Sequence, residues 1–501
     1  MFSQKLFLLL MSNVVKIPLF FVSTIFVARL LGPDRLGMIT YLQAIVALLM
    51  IVNDLSLNHT HVKRVSEGKD FVGCVRTYLT LKGATTVLTL VIFGCFFLLS
   101  TTGVVQVIPP GERSLFLVLF VAVLINQSVS QLMITTFQAY QNVSVNAFVD
   151  GISQLVFAIS GVLVLFFSGN LFWYSLTFLL KEVVLCGLLS YFFWKTFHHK
   201  LAPFFQSRAL FLGNYVRYAL PQMVLIPLGL VNTHFDKILI RSFLSVTQVG
   251  LYAASQRLSV ITQFSKLFAS LFLPELSRTH GAGKFQAFSY KVVRAEKYLS
   301  LLFFSLALPL ILFAREVIHS TVGPAFAQAA PLLQVFLVYA VFDILVSPHR
   351  SVLYAAEKNR LNTLTALGGL VVFVSLSVFF IPDSFLGLPG LGLGAIGIIL
   401  AQLVKTFGIF LLYKLFSHRH FHISFSFDFL FYLAVALFVM TVDQSLITWG
   451  YGWRILVDTT SYLGLLSALR LLTWEDVRLL RQTLRARSLR EAIKQEFQVI
   501  L

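Results

Sequence analysis

Six basic residues lie inside long apolar stretches of the sequence, where a charged side chain costs roughly 2.5–3.5 kcal/mol unless it faces a partner or a watery cavity. A lysine ammonium in such a cavity acts as a point charge for phosphate. Neighbouring Ser, Asn and Gln side chains can hydrogen-bond the hydroxyl groups of a ligand. The pattern therefore indicates binding of an anionic substrate, and its members are Lys16, Lys181, Arg217, Arg257, Lys266 and Lys405.

Two of these lysines belong to polar stripes that follow the helical period on otherwise apolar helices. Such stripes favour a bundle interior or a cavity over contact with lipid. We therefore expect both lysines to face the cavity. One stripe contains Ser12, Asn13, Lys16 and Ser23, and the other contains Gln256, Ser259, Gln263 and Lys266.

Other ionisable residues leave alternatives open. Lys181 is followed by Glu182, and this couple is either a structural ion pair or part of the cavity. Arg217 and Arg257 lie nearer the ends of their apolar stretches, where snorkelling to water is the favoured interpretation. Asp54 and Glu182 are the candidates for carrying a coupling proton, although Asp54 is expected near the cytoplasmic end of its helix.

Several kinds of chemistry are excluded by the motifs. The sequence has no phosphate-cradling P-loop, no HExxH and no CxxC, and its three cysteines show no metal-binding spacing. We therefore predict no metal, no cofactor and no direct coupling to ATP hydrolysis. No outer loop is long enough to form a catalytic domain, so an enzyme is not expected.

The composition is that of a polytopic helical membrane protein. The 501 residues are 57% hydrophobic and only 12% charged, about half the charged fraction of a typical soluble protein. The first apolar stretch contains Lys16 and ends at Arg29 without a small-residue cleavage site, so it is expected to be a spanning helix rather than a signal peptide.

Apolar stretches long enough to cross a bilayer predict about fourteen transmembrane helices. They cover residues 6–30, 37–57, 79–101, 114–139, 145–167, 171–194, 213–233, 250–273, 298–314, 330–347, 362–381, 393–413, 428–447 and 453–472. Lysines and arginines outside these helices are unevenly distributed, 26 on one side against 7 on the other. The positive-inside rule then places both termini in the cytoplasm and accounts for the net charge of +18 without nucleic acid.

A short turn-rich stretch occurs twice. Residues 28–43 read ARLLGPDRLGMITYLQ, and residues 235–258 read FDKILIRSFLSVTQVGLYAASQRL. When the two are aligned, Gly37 matches Gly250 and Gln43 matches Gln256, both 213 residues apart. The repeat predicts two pseudo-symmetric six-helix lobes, residues 1–200 and 201–415, followed by an additional helix pair at 416–472 and a basic cytoplasmic tail at 473–501.

Both copies resemble the helix-loop-helix signatures of bacterial polysaccharide transporters, the oligosaccharide (O-antigen type) flippase branch of the multidrug/oligosaccharidyl-lipid/polysaccharide exporter superfamily. The segments 273–278, LPELSR, and 390–397, GLGLGAIG, fit the same family in order and spacing. The resemblance implies a flippase of the bacterial inner membrane that moves a polyprenyl-pyrophosphate-linked oligosaccharide by alternating access, with membrane lipids, glycosyltransferases and a polymerase of the same pathway as partners.

Three alternatives stay open. A lipid II flippase of the same superfamily would handle a substrate of similar chemistry. A multidrug/cation antiporter would need carboxylates in its cavity, whereas here deep bases outnumber deep acids. A membrane glycan polymerase or ligase would need a large outer loop.

Overall fold

The computed structural model describes residues 2–103, 107–201, 210–220, 222–259, 261–425, 427–445 and 451–469. Within these ranges, the side chains of residues 2–20, 143, 201, 224–226, 261–264, 266–267, 270–271, 359, 444–445, 451–452 and 455–456 lie outside the description. The predicted tail at 473–501 also lies outside the described residues.

The described chain is almost entirely α-helical, as the composition predicts. The first half contains α1 (Phe2–Leu49), α2 (Ile51–Asp54), α3 (Leu57–Ser66), α4 (Phe71–Thr101), α5 (Arg113–Ile125), α6 (Gln131–Ala139), α7 (Val143–Ser168), α8 (Leu171–Leu201), α9 (Leu212–Ala219) and α10 (Gln222–Phe243). A 3₁₀ turn at Pro110–Glu112 precedes α5, and a π-helical segment at Asn126–Ser130 joins α5 to α6.

The second half contains α11 (Val246–Leu258), α12 (Ile261–Gly281), α13 (Phe285–Leu312), α14 (Ala314–Thr321), α15 (Ala330–Ala355), α16 (Asn359–Phe380), α17 (Gly394–Phe421), α18 (Asp428–Ser445) and α19 (Tyr451–Ala468). A 3₁₀ segment at Pro324–Ala329 precedes α15. The described strands are β1 (Ser384–Phe385) and β2 (Leu388–Pro389), a short antiparallel hairpin between α16 and α17.

Nine segments of the described chain are long and apolar enough to cross a membrane. This result confirms a polytopic all-α protein and is compatible with the predicted count of about fourteen spans. The described helices divide into two compact units, one up to residue 250 and one from residue 251 onward. In the first unit α1 packs on α5, α7 and α10, and in the second α15 packs on α12, α13 and α17.

Several helices are longer than the apolar stretches that predict them. The α4 helix begins at Phe71 rather than at residue 79, because the carboxylate of Asp70 accepts a hydrogen bond of 2.8 Å from the Gly73 N–H and caps the helix. Similarly, α17 continues to Phe421 beyond the predicted end at 413. Lys82, near the predicted start of one span, and Lys414, just beyond the predicted end of another, therefore lie well inside helices.

Two predicted spans are interrupted. The span at 37–57 stops after α2, where Leu55 and Ser56 have φ of 39° and 65°, and the chain then continues as α3. The span at 250–273 is divided between α11, which ends at Leu258, and α12, which begins at Ile261. A single helical period therefore does not run through the stretch containing Gln256 and Lys266.

Candidate functional site

In the first unit, the two copies of the repeated stretch pack directly against each other. Helical geometry in α1 is broken at Gly32, whose φ of 73° favours glycine, just before Pro33. A Cβ on Gly37 would lie 2.0 Å from the carbonyl oxygen of Val246, and a Cβ on Gly250 would lie 1.9 Å from that of Pro33. Glycine at both positions therefore lets the two backbones touch.

The contact is reciprocal. Residues Pro33 and Gly37 are each 213 positions before the residues that they mirror, Val246 and Gly250. Asp34 accepts a hydrogen bond from the hydroxyl of Thr247, again 213 positions away. The carboxylate of Asp34 is therefore directed to the other copy of the repeat.

A polar cluster lies where α2 ends, deep among the helices of the first unit. The Lys82 ammonium, on the twelfth residue of α4, donates a hydrogen bond of 3.0 Å to the carbonyl oxygen of Asn53. The Asn53 amide nitrogen donates to the hydroxyls of Thr86 at 3.1 Å and Ser128 at 3.3 Å. Thr85 also donates to the Asn53 carbonyl oxygen at 2.9 Å. We call Asn53, Lys82, Thr85, Thr86 and Ser128 the Asn53 cluster.

This cluster is buried but incompletely hydrogen-bonded. Asn53 is 0% exposed and Lys82 is 2% exposed. Among the described residues, no donor reaches the Asn53 side-chain oxygen, and Gln127 and Ser130 of the π-helical segment also have unpartnered side-chain oxygens. Interrupted helices and π-helical segments are common at functional sites of transporters and other proteins. The combination of unused acceptors and a buried cation is suited to binding a polar ligand.

Asp54 lies beside this cluster. Its carboxylate accepts a hydrogen bond of 3.2 Å from the backbone N–H of Asn58, and it lies within electrostatic range of Lys82. Asp54 is the last residue of α2, and the candidate span Phe21–Asp54 ends with it, as the sequence suggests.

Lys181 and Glu182 contact each other, and Glu182 also contacts a neighbouring element. Their side chains are 3.2 Å apart, and the other carboxylate oxygen of Glu182 accepts a hydrogen bond of 2.7 Å from the Asn126 amide. Gln131 donates to the Asn126 side-chain oxygen at 3.2 Å. The structure therefore connects this predicted couple to the π-helical segment next to the Asn53 cluster.

The other predicted cations with described side chains have different surroundings. Lys405 is 7% exposed, and its ammonium lies 5.2 Å from the centroid of the Phe373 ring. Arg217 is exposed on the short helix α9, and Arg257 and Gln256 are half-buried near the end of α11.

Four predicted site residues have side chains outside the described set. Asn13 and Lys16 lie on the backbone of α1, and Gln263 and Lys266 lie on that of α12. The predicted stripe from Gln256 to Lys266 assumes one continuous helix, and this assumption is wrong because the stretch is divided between α11 and α12.

A second buried network, absent from the sequence predictions, lies in the second unit. Glu296 on α13 accepts hydrogen bonds from the Lys414 ammonium and from His349 Nε2, the latter at 3.0 Å. His349 Nδ1 lies 3.3 Å from the Ser417 hydroxyl. Lys414 and His349 are each 1% exposed. The three charged or titratable groups satisfy one another, which is the arrangement of a structural network.

Another buried histidine lies outside the spans of the first unit. His61 on α3 lies 3.0 Å from the Tyr215 hydroxyl and 3.1 Å from that of Thr136. Burial lowers the pKa of His61 from 6.5 to about 3, because the cationic form loses its hydration. Among the described residues no group of three or more His, Cys, Asp and Glu side chains is arranged to hold a metal ion.

Comparisons with known proteins agree with this architecture. A family model described as "Polysaccharide biosynthesis protein" matches residues 2–280. The curated proteins gave no match. A solved structure described as an inward-facing multidrug resistance MATE family transporter of the MOP superfamily is similar at a TM-score of 0.57, with 14% identity over 80% of this chain and 94% of that chain.

A MOP superfamily transporter from Pyrococcus furiosus gives a TM-score of 0.52 with 13% identity, over 84% of this chain and 93% of that chain. The description of that protein states that the reverse polarity of its binding pocket suggests a different function. Since both identities are low, these similarities concern the fold, which is that of a multi-pass membrane transporter.

Proposed function

Because the chain belongs to the polysaccharide biosynthesis protein family, whose model matches residues 2–280, we propose that it is a flippase for a polyprenyl-pyrophosphate-linked oligosaccharide. It moves this lipid from the cytoplasmic to the outer leaflet of the bacterial inner membrane by alternating access. Both termini lie in the cytoplasm in this proposal, in agreement with the uneven distribution of Lys and Arg.

The observation that carries the proposal beyond the family is the Asn53 cluster. It combines a buried ammonium, a free amide oxygen and several hydroxyl groups beside two interruptions of the helices. Lys82 supplies positive charge for a pyrophosphate, and Asn53, Thr86 and Ser128 supply hydrogen bonds for phosphate oxygens or sugar hydroxyls. Asp54 and Glu182 remain candidates for coupling groups near these positions.

The predicted cations are further substrate groups in this proposal. Lys181 lies next to the π-helical segment, and its ion pair with Glu182 would open when an anion competes for the ammonium. Lys16 with Asn13 on α1, and Lys266 with Gln263 on α12, are proposed from their spacing of three residues, which places the members of each pair on one helical face. Asn13 and Gln263 are the hydrogen-bonding partners of the substrate in this proposal. Lys405, Arg217, Arg257 and Gln256 complete the proposed set of substrate groups.

The first experiment is to determine the lipid-linked glycans in a strain that lacks this gene, together with their leaflet. We expect complete oligosaccharide-lipid to accumulate on the cytoplasmic side while the surface polymer is lost. Single repeat units that reach the outer leaflet but are not polymerised would instead identify a polymerase. Normal surface glycan would refute the proposal.

Variants then test the binding groups. We expect Lys82→Met to lower the flipping rate about tenfold or more, the loss of one charge-assisted interaction. The fold should tolerate this change, because Thr85 still donates to the Asn53 carbonyl oxygen. The double variant Lys16→Met/Lys266→Met is also expected to lose transport. Lys358→Met, at an exposed position outside the spans, is the matched control. Full transport by both test variants at normal membrane levels would refute these assignments.

A multidrug transporter is the second candidate function, because a similar solved structure is described as a multidrug resistance transporter. The same deletion strain discriminates the two functions. Unchanged surface glycan combined with increased sensitivity to cationic drugs would favour the multidrug transporter, and accumulation of oligosaccharide-lipid would favour the flippase.

A further inference from the structure

The last two described helices carry a buried ion pair. The guanidinium of Arg454 on α19 donates two hydrogen bonds to the carboxylate of Asp443 on α18, at 2.8 and 2.5 Å. Asp443 is 4% exposed and Arg454 is 9% exposed. Such a two-pronged contact fixes the direction of the guanidinium.

A second carboxylate lies beside this pair without a donor of its own. Asp458 is four residues after Arg454 on α19, which places both on one face of the helix in adjacent turns. Asp458 is 1% exposed, and neither of its carboxylate oxygens accepts a hydrogen bond from the residues that the structure describes. Both Asp443 and Arg454 lie within electrostatic range of it.

The charges of this group do not balance. Two carboxylates share one guanidinium, and Glu316 on α14 adds a further acidic group within electrostatic range of Arg454. The α13 helix packs on both α18 and α19. The ring of Phe313, between α13 and α14, lies 5.0 Å from the guanidinium carbon and keeps that side apolar. Tyr462, one turn beyond Asp458, is 1% exposed and brings an uncharged hydroxyl. A buried, uncompensated negative charge is costly, and one proton removes it.

We propose that Asp443 and Asp458 form a proton-binding site with Arg454 as its fixed counter-charge, and that the site exchanges its proton with water on the outer side. On binding, an O–H bond forms at Asp458, whose carboxyl group then donates toward Asp443. On release, the proton returns to outer water and Asp458 regains its charge. The outer side follows from the predicted topology, in which α18 and α19 are joined outside the membrane.

The site offers a means of driving transport with a proton gradient, and this part rests on the proposed flippase function. Arg454 stays paired with Asp443 in both states, so only the charge of Asp458 changes. A change of one charge next to α13 and α14 alters the stability of their packing, which is the requirement for coupling a proton to a conformational equilibrium.

Infrared spectroscopy of the purified full-length protein, with and without ¹³C-carboxyl aspartate, tests the site without any transport substrate. We expect a protonated aspartic acid carbonyl band at mildly acidic pH that disappears at alkaline pH. Asp458→Asn should abolish this band. Asp458→Glu should replace it with a glutamic acid band that does not shift with the ¹³C label, because only aspartate is labelled. Asp428→Asn, at the exposed start of α18, is the matched control and should leave it unchanged.

An identical spectrum for wild type and Asp458→Asn would refute the proton site. Loss of the band on adding sodium at constant pH would also refute it, since the site would then bind a metal cation instead. Coupling is tested separately in vesicles with an imposed pH difference, which should accelerate transport by the wild type but not by Asp458→Asn. Equal acceleration of both proteins would refute coupling while leaving the infrared result intact.

Discussion

Replacing Gly250 by alanine should separate the two copies of the repeated stretch. The new Cβ would lie 1.9 Å from the carbonyl oxygen of Pro33 and 2.7 Å from its carbonyl carbon, whereas ordinary contact begins near 3.4 Å. Both obstructing atoms belong to the backbone, so no side chain can rotate away. The backbones must move apart by about 1.5 Å, and overpacking of this kind costs about 1–3 kcal/mol.

The reciprocal change gives an internal check. A Cβ on Gly37 would lie 2.0 Å from the Val246 carbonyl oxygen, so Gly37→Ala should destabilise the contact about as much as Gly250→Ala. Once the methyl group of one alanine has separated the backbones, part of the space needed by the methyl group of the second alanine is already available. The double variant should therefore cost less than the sum of the two single changes, which is the coupling expected for neighbouring sites.

Thermal unfolding in detergent measures this effect, with Gly94→Ala as the matched control. Gly94 lies inside α4, and a Cβ there would meet nothing within 4 Å, so alanine should be neutral or stabilising by up to about 1 kcal/mol. Cysteines at positions 34 and 247, in a background without native cysteines, report the contact directly. If Gly250→Ala and Gly94→Ala gave equal melting temperatures and equal cross-linking rates, the predicted separation of the two copies would be refuted.

Two further predictions concern buried titratable groups. Because burial lowers the pKa of His61 to about 3 while the unfolded chain keeps about 6.5, the unfolded state binds more protons between these values. Stability should therefore fall as the pH drops from 6.5, by up to about 1.4 kcal/mol per pH unit. Melting curves of His61→Gln should lose this dependence, while the exposed His59→Gln should retain it. Glu296→Gln should cost about 3–5 kcal/mol, because it leaves Lys414 buried without its carboxylate. Replacing Lys414 by Met in the same chain should recover part of this loss of stability in the same assay. A double variant no more stable than the single variant would contradict the pairing.

The class of fold could be predicted because hydropathy and charge asymmetry are properties of whole segments. The repeat could be recognised for a different reason. A backbone contact at Gly37 and Gly250 requires glycine on both sides, so glycine occurs at equivalent positions of the two copies and can be seen in the sequence. The contact between the two copies could not be predicted from the sequence, because a repeat with the same residue spacing is equally compatible with two turns that lie far apart.

The buried charges could not be assigned from depth alone. The predicted spans place Lys82 near the start of 79–101 and Lys414 just beyond the end of 393–413, because averaging hydropathy along the sequence makes a span end near a charged residue. In the structure the Asp70 cap extends α4 and places Lys82 inside it. The partner of Lys414 is Glu296, 118 residues away, and only tertiary packing brings the two together.

Hydrogen-bond and charge balance, rather than depth, distinguishes the buried polar groups from one another. The network around Glu296 joins one anion to a lysine and a histidine, so its carboxylate is matched by charged or polar partners. The Asn53 cluster holds a cation against a carbonyl oxygen and leaves an amide oxygen free, so it can still accept and donate. Asp458 has a charge without a donor. A buried group that is already satisfied stabilises one structure, whereas one with unused capacity gains from a ligand or a proton. On this argument, we propose that the Asn53 cluster binds a ligand and that Asp458 binds a proton.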